Sequence, residues 1–445
     1  MKKFIVTLVA IISLGSSLLF SQTGWFQQTS GTTETFTTVF FLNDQTGFAG
    51  GGFTIFKTTN GGTIWTAKVL PDTSNLTSIR FLNNTTGYAC SGITINSNWS
   101  RQFLFKTTNT GDNWTKIYES SGTLTSEAFN DVFPIDSLIY LTKGGWGMFG
   151  TTGSMYVSQN NGTNFSLINV TNSEIIQKTR FINSQTGWVI SSYGDDVGWG
   201  KRKIFKTTNH GVNWIRQYRD STTNTPLSYP NFELQFIDQN TGFGLYYCYP
   251  NTTKFLKSTN SGVTWDSTSL PYSKYNTMFF ADSNTGWIGG NCNTDSVMII
   301  RTTNGGTNWQ VQKRGNNIIN SVFFANNLTG WAVGNNGLIL KTITGGVTGV
   351  KNVSSEVPAT YSLGQNYPNP FNPTTNIKFS IVNSGDVKLV VYDIQGREVQ
   401  TLVNERLNAG TYETKFDGSM LTSGVYFYKM VSESFTETKR MFLIK

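Results

Sequence analysis

A ten-residue phrase returns seven times along this chain. It reads FKTTNGGTIW from Phe56, FKTTNTGDNW from Phe105, YVSQNNGTNF from Tyr156, FKTTNHGVNW from Phe205, LKSTNSGVTW from Leu256, IRTTNGGTNW from Ile300 and a decayed LKTITGGVTG from Leu340. The closing aromatic falls at Trp65, Trp114, Phe165, Trp214, Trp265 and Trp309, a repeat of roughly 40 to 50 residues, which is the period of propeller blades. A second phrase precedes each copy: FLNDQTGF from Phe41, FLNNTTGY from Phe81, FINSQTGW from Phe181, FIDQNTGF from Phe236, FADSNTGW from Phe280 and FANNLTGW from Phe324, with a worn VFPIDSLIY from Val132 in the third unit. In both phrases an apolar run meets Asn, Asp, Thr and Gly and then an aromatic, the pattern of strand, tight turn and strand. Each unit therefore holds two hairpins. Its strands are named a to d, with the TG phrase at the a–b turn and the ten-residue phrase at the c–d turn. Gly47, Gly87, Gly187, Gly242, Gly286 and Gly330 are expected to supply positive φ in the a–b turns.

The last unit is incomplete. Eight residues beyond the strand-c cation comes Trp65 from Lys57, Trp214 from Lys206 and Trp309 from Arg301, but Lys341 leads to Gly349. A spare copy stands near the start, where TGWFQQ at Thr23 to Gln28 has the W-x-x-Q spacing of Trp214 to Gln217. That segment is expected to supply strand d of the seventh unit, so that first and last units pair and no raw sheet edge remains. The expected fold is all-β: a seven-bladed β-propeller over residues 22–350, a linker at 351–360 and a second domain at 361–445. In that second domain, alternating apolar positions between Gly and Asn turns predict a small β-sandwich.

Composition agrees. Charged residues make up 13% of the chain against a usual ~25%, whereas aromatics at 14% suit repeated packing between blades. The formal charge of +8 rests largely on one position per unit, Lys57, Lys106, Lys206, Lys257, Arg301 and Lys341. A cation spread evenly round a ring reads as a solvated strand position rather than a phosphate-binding stripe, so no nucleic-acid partner is expected. Lys2 and Lys3 before the apolar run Phe4 to Phe20, with Ser21 ahead of Gln22, read as a signal peptide over 1–21. No later segment reaches the ~20 apolar residues of a membrane span. Cys90, Cys248 and Cys292 are an odd set, expected to be unpaired.

The stretches NYPNPFNPTTNIKFSI from Asn366, VKLVVYDIQGREVQTLV from Val387, LNAGTYETKFDG from Leu407, LTSGVYFYKM from Leu421 and the basic end KRMFLIK resemble the type A C-terminal sorting domain of the type IX secretion system, over about 85 residues. The resemblance implies an immunoglobulin-like β-sandwich, recognition by an outer-membrane translocon, removal by a sorting protease, and a product that is secreted or held at the outer cell surface. The ten-residue phrase is similar to the Asp-box, or bacterial neuraminidase repeat, with Asn60, Gly62 and Trp65 recurring as Asn109, Gly111 and Trp114, as Asn209, Gly211 and Trp214, as Asn260, Gly262 and Trp265, and as Asn304, Gly306 and Trp309. In such families this motif braces a hairpin. The two phrases together resemble the seven-bladed photosystem II assembly-factor propellers over residues 23–349, which bind proteins without a known cofactor. A sorting domain for external delivery does not suit the photosynthetic role, so only the fold is carried over.

The single histidine, His210, sits in a variable turn slot, so Ser-His-Asp, Cys-His and His-rich metal sites are absent from the sequence and no cofactor or metal is expected. Sialidase chemistry, which the Asp-box brings to mind, needs an arginine cluster. Arg80 and Arg180 occupy matching points before the a–b turns, but Phe40, Phe133, Phe279 and Phe323 hold that point elsewhere. Carboxylate-pair hydrolysis needs only two suitably spaced acids. Asp195, Asp196 and Asp295 lie in b–c insertions, whereas Asp136, Asp238 and Asp282 fill a–b turn slots. With the repeat tryptophans assigned to scaffold, Trp99, Trp146 and Trp199 remain, in the long b–c segments of three successive blades, joined on that face by Tyr218, Arg219 and Tyr229. The candidate ligand-binding set is thus Trp99, Trp146, Trp199, Tyr229, Arg80 and Arg180. The expected function is non-enzymatic binding of an extracellular glycan or protein, the alternative a sialidase-like or xyloglucanase-like glycoside hydrolase.

Overall fold

A computed structural model describes residues 24–445 apart from 73, 97–98, 121–125, 148–149, 171–173, 195–198, 221–224, 227–231, 249–251, 272–273, 293–296, 347–348, 355, 420 and 433–434. The chain divides into two units, Thr23–Thr348 and Gly349–Lys445. The first holds seven antiparallel sheets whose main paths have four strands each. Six blades follow the chain: 38–69, 75–120, 126–168, 175–219, 232–269 and 275–314. The seventh combines Ile319–Phe324, Gly330–Gly334 and Ile339–Thr342 with the N-terminal strand Phe26–Gln28, which pairs Gln27 opposite Leu340. The ring closes as the spacing of TGWFQQ predicts.

Why these blades stack is visible in one aromatic chain. The phenylalanine that ends strand a lies flat on the strand-b aromatic of the preceding blade: Phe41 on Trp331 at 3.4 Å, Phe181 on Tyr140 at 4.0 Å, Phe236 on Trp188 at 3.5 Å, Phe280 on Phe243 at 3.7 Å and Phe324 on Trp287 at 3.5 Å. The strand-d tryptophan of its own blade then meets it edge-on, as Trp65 meets Phe41, Trp309 meets Phe280 and Trp25 meets Phe324. These offset and T-shaped geometries suit the ring quadrupoles. In the worn third unit Pro134 stands in the place of the phenylalanine.

The glycine of the TG phrase has a different duty from the one expected. Gly47, Gly87, Gly187, Gly242, Gly286 and Gly330 are not among the residues with positive φ. They are required because the strand-a phenylalanine ring lies over them: a Cβ at Gly286 would stand 2.5 Å from the Phe280 ring. The a–b turns are instead closed by side chains, Asn43 Oδ1 accepting the N–H groups of Gln45 and Thr46, and Asp282 those of Asn284 and Thr285. Positive φ belongs to the Asp-box glycines, Gly62 at 93° and Gly306 at 90° among them. There Thr58 donates its hydroxyl to Asn60 Oδ1 and accepts Gly62 N–H, while Asn60 accepts Ile64 N–H. The same bonds recur at Asn109, Asn209, Asn260 and Asn304.

The repeated strand-c cation also departs from expectation. It is an inter-blade clamp, not a solvated position. Lys57, 7% exposed, reaches Asp112 of the next blade at 3.0 Å. Lys106 donates to Asn161 O, Lys206 to Ser261 Oγ and Lys257 to Gly305 O, each in the next Asp-box turn. The ammonium or guanidinium also caps the strand-b aromatic, with Lys341 5.4 Å from the Trp331 ring and Arg301 5.6 Å from Trp287. Cys90 is free and buried, its thiol pushed up to about 12 by burial. The side chains of Cys248 and Cys292 lie outside the described residues.

The second unit is a two-sheet β-sandwich, with strand orders Val350–Ser354, Gly410–Asp417, Thr374–Ile381, Ser362–Leu363 and Glu398–Leu407, Gly385–Tyr392, Gly424–Ser432, Phe435–Leu443. Alternating residues such as Phe379, Ile381, Leu389, Val391, Phe416, Tyr428 and Met441 form its core. The NYPNP motif is pinned by Asn366, whose amide donates to Pro368 O and Thr375 Oγ1, and by Phe371, which exchanges backbone bonds with Phe442 and Ile444. The span 351–360 is therefore not simply a linker: it contributes an edge strand to the sandwich.

Candidate functional site

Strand a of every blade faces the axis, enclosing a channel of about 790 Å³. One position per blade stands opposite the strand-b aromatic and sets the wall near the a–b turns: Phe40, Arg80, Phe133, Arg180, Gln235, Phe279 and Phe323. Phe279, Phe323 and Phe40 form an apolar arc with ring centroids 5.3 and 5.2 Å apart. Gln235 is committed to structure, its amide bonding both N–H and C=O of Phe280 in the next blade.

Deeper in the channel, strand a carries a bulge in five blades, which skips Thr77, Asn130, Gln177, Asn276 and Asn320 in the ladder. Four of these freed side chains reach the backbone of the next blade: Thr77 to Phe129 O at 2.6 Å, Asn130 to Ile176 O at 3.0 Å, Asn276 to Ile319 O at 3.4 Å and Asn320 to Phe36 O at 2.9 Å. Thr37 of blade 1 does the same to Leu76 O. Gln177 turns back to Ser192 instead, and blades 4 and 5 meet through charge, Glu233 lying 3.6 Å from Lys178 and 3.8 Å from Arg180. Most of the polar lining is thus already used in holding the ring.

The charges form one cluster. Asp131 is fully buried and accepts from Ser78 Oγ, Thr179 N and Arg180 Nη1 at 2.8, 3.3 and 2.5 Å. Burial pushes its carboxyl up, but Arg180, Lys178, Arg80 and the Ser78 hydroxyl outweigh that and hold it below the ordinary aspartate value. Arg80 is the one cation of the cluster without a partner: it forms no hydrogen bond or ion pair with a described residue, and its Nε is buried and unsatisfied. Its guanidinium stands 6.0 Å from the Phe40 ring. Burial first, then repulsion from Arg180, lowers its pKa to about 10 against the pull of Asp131 and Glu233, so it stays charged at neutral pH.

The structure therefore brings Arg80 and Arg180 to one wall of the channel but gives them unlike roles, Arg180 being neutralised by Asp131. Asp131, Lys178 and Glu233 stand two residues before Phe133, Arg180 and Gln235 with no bulge between, so the i, i+2 alternation counted back from the arginine position was the signal that could have found them. Trp99, Trp146 and Trp199 are placed as backbone only. They stand at the tips of b–c hairpins that are strands rather than loops, Gly87–Asn96 with Trp99–Thr107, Leu138–Gly147 with Gly150–Ser158, and Gly187–Gly194 with Trp199–Thr207. Their side chains, with Tyr229, Asp195, Asp196 and Asp295, lie outside the described residues. Tyr218 is packed against the core between blades 4 and 5. Among the described residues no cluster of His, Cys, Asp or Glu is arranged to hold a metal.

Residues 365–445 match the family described as the secretion system C-terminal sorting domain. The chain is exported by that system, to the cell surface or beyond it. No curated protein matches at a significant level. Among solved structures, YCF48 bound to D1 peptide is similar with a TM-score of 0.52 and 16% identity, over 74% of this chain and 98% of that one. A Hadza microbial sialidase aligns over 65% of this chain and 72% of its own at 10% identity and a TM-score of 0.44. A family PL25 ulvan lyase aligns over 73% and 95% at 10% identity and 0.46. The protein is an exported β-propeller with a sorting domain.

Proposed function

We propose that the propeller is a non-enzymatic binding module for an extracellular glycan or protein, and that it receives a carboxylate of that ligand at Arg80. The observation that carries this reading is the charge arrangement of the channel. Asp131 and Glu233 are both engaged by cations, which speaks against their serving as an acid and base pair, while Arg80 keeps a buried, unsatisfied donor beside an apolar arc. A planar guanidinium with free donors suits a carboxylate bidentately, and the neighbouring phenylalanines suit the apolar face of a sugar ring or a side chain. The YCF48 propeller holds a peptide in its structure, so a chain-like ligand is compatible with the architecture. The b–c hairpins of blades 2, 3 and 4, longer than those of blade 1, offer a second contact surface through Trp99, Trp146 and Trp199.

The test is a binding screen of the chain from Gln22 to Lys445 against acidic and neutral polysaccharides and outer-surface proteins, with reducing-sugar release followed in parallel. Arg80→Met is expected to weaken binding of the retained acidic ligand tenfold or more while the melting temperature holds. Unchanged affinity in that variant, or turnover of a polysaccharide by the wild type, defeats the reading. Loss of binding in Trp99→Ala with Trp199→Ala but not in Arg80→Met would move the site to the hairpin tips.

A further inference from the structure

The chain between the last propeller turn and the sandwich is anchored at an unexpected place. Val350–Ser354 pairs antiparallel with the sandwich strand Gly410–Asp417, Val350 opposite Thr414 and Ser354 opposite Thr411, and Val350 packs on the sandwich core. Upstream, Gly346 donates its N–H to Thr342 Oγ1 at 2.7 Å in the final Asp-box turn. Only residues 347–349 separate that anchored turn from the paired strand. Downstream the situation reverses. Glu356 to Tyr361 makes no backbone-to-backbone hydrogen bond with a described residue, and Glu356, Val357, Ala359 and Thr360 are exposed, Val357 by 66%.

A protease must seat several residues in extended form, so it cuts exposed, unpaired stretches and leaves laddered strands alone until they open. Three residues held at both ends do not fill a protease cleft, whereas the free run from Glu356 does. We propose that the sorting domain is removed by hydrolysis within Glu356–Tyr361, on the far side of Val350–Ser354. The cut then leaves this strand on the propeller piece, and the two pieces stay together by strand pairing until it withdraws. The proposal rests on the reading of the C-terminal unit as a removable address. Water adds across one amide: the C–N bond breaks, the new carboxylate ends the propeller piece and the new amine begins the sandwich piece. Once the strand leaves, Gly410–Asp417 becomes an open sheet edge able to take up another strand.

The chain from Gln22 to Lys445 is digested under native conditions with a Glu-specific and, separately, a Lys-specific protease, each rate normalised to the urea-unfolded chain. The Glu356–Val357 bond is expected to break at least tenfold faster than Lys351–Asn352. After the Glu356 cut, size exclusion should show pieces 22–356 and 357–445 in one peak, and Val350→Asp should split that peak in two. Asn352→Pro, at an exposed strand position, serves if Val350→Asp unfolds the sandwich. Equal rates at Lys351 and Glu356, or wild-type pieces that separate as soon as they are cut, overturns the proposal. Intact mass of the product exported from its native cells should place the C-terminus between Glu356 and Thr360, and an end before Val350 overturns it. An exported chain still ending at Lys445 refutes removal itself, while the two protease arms continue to judge the strand, so the two failures are told apart.

Discussion

Replacing Trp25 with alanine tests the closure of the ring. Trp25 is 5% exposed, meets Phe324 edge-on at 5.6 Å and belongs to the core cluster of blades 6 and 7 with Trp287 and Leu340. Truncating a buried tryptophan costs about 3–5 kcal/mol, because the transfer free energy is lost and a cavity remains. The propeller unit, Thr23–Thr348, has roughly 330 residues; at about 2.1 cal/mol/K per residue its unfolding entropy is about 0.7 kcal/mol/K. Trp25→Ala should therefore lower the melting temperature by about 4–7 °C. Trp309→Ala, which removes the same edge-on contact from Phe280 inside blade 6, is the internal standard, and differential scanning fluorimetry at equal protein concentration reads both. The closure argument is refuted if Trp25→Ala shifts the transition by less than about 1 °C while Trp309→Ala shifts it by several degrees, since Phe26–Gln28 would then not be seated on the seventh blade.

Gly286→Ala should destabilise by about 1–3 kcal/mol through overpacking against the Phe280 ring, and Phe280→Leu in the same chain should recover part of that loss in a double-mutant cycle; additive losses would show that the ring is not the obstacle. Thr58→Val removes the acceptor of Gly62 N–H and should cost about 1–3 kcal/mol in urea melts, by leaving a buried donor unsatisfied. Asp131 has a folded-state pKa below its unfolded value of ~3.9, so its contribution is present above that value and drains away as pH falls through the folded pKa. Urea melts at pH 7, 4 and 3 should show Asp131→Asn less stable at pH 7 and less steeply acid-sensitive than the wild type, and parallel curves would contradict the assignment. Arg180→Met, which strands that buried carboxylate, should cost more stability than Arg80→Met, which strands nothing.

The scaffold was largely legible from local pattern. The turn phrases repeat with their neighbours in sequence, so strand, turn and strand follow from residues within about ten positions, and the lone Trp25 copy accounts for the seventh blade. The candidate site was legible only in part. Arg80 and Arg180 were found because they break a phenylalanine series, yet their unequal fates depend on Asp131 and Glu233, which stand 49 or more residues from the arginine each one faces.

What the sequence by itself determined is the count of blades, the hairpin turns, the outer strand borrowed from the N-terminus and the sorting domain, because each is written in spacings that a β-strand turns directly into geometry. What only the tertiary structure decided lies between blades. The strand-c lysines became clamps, the TG glycines became seats for phenylalanine rings, and the bulged strand-a residues turned to bond the next blade, since those partners come within reach only once the sheets are stacked. The strand Val350–Ser354 is of the same kind. Residues 351–354 read as linker and Val350 as the end of the propeller, and together they became an edge strand only when Gly410–Asp417 offered a ladder to complete.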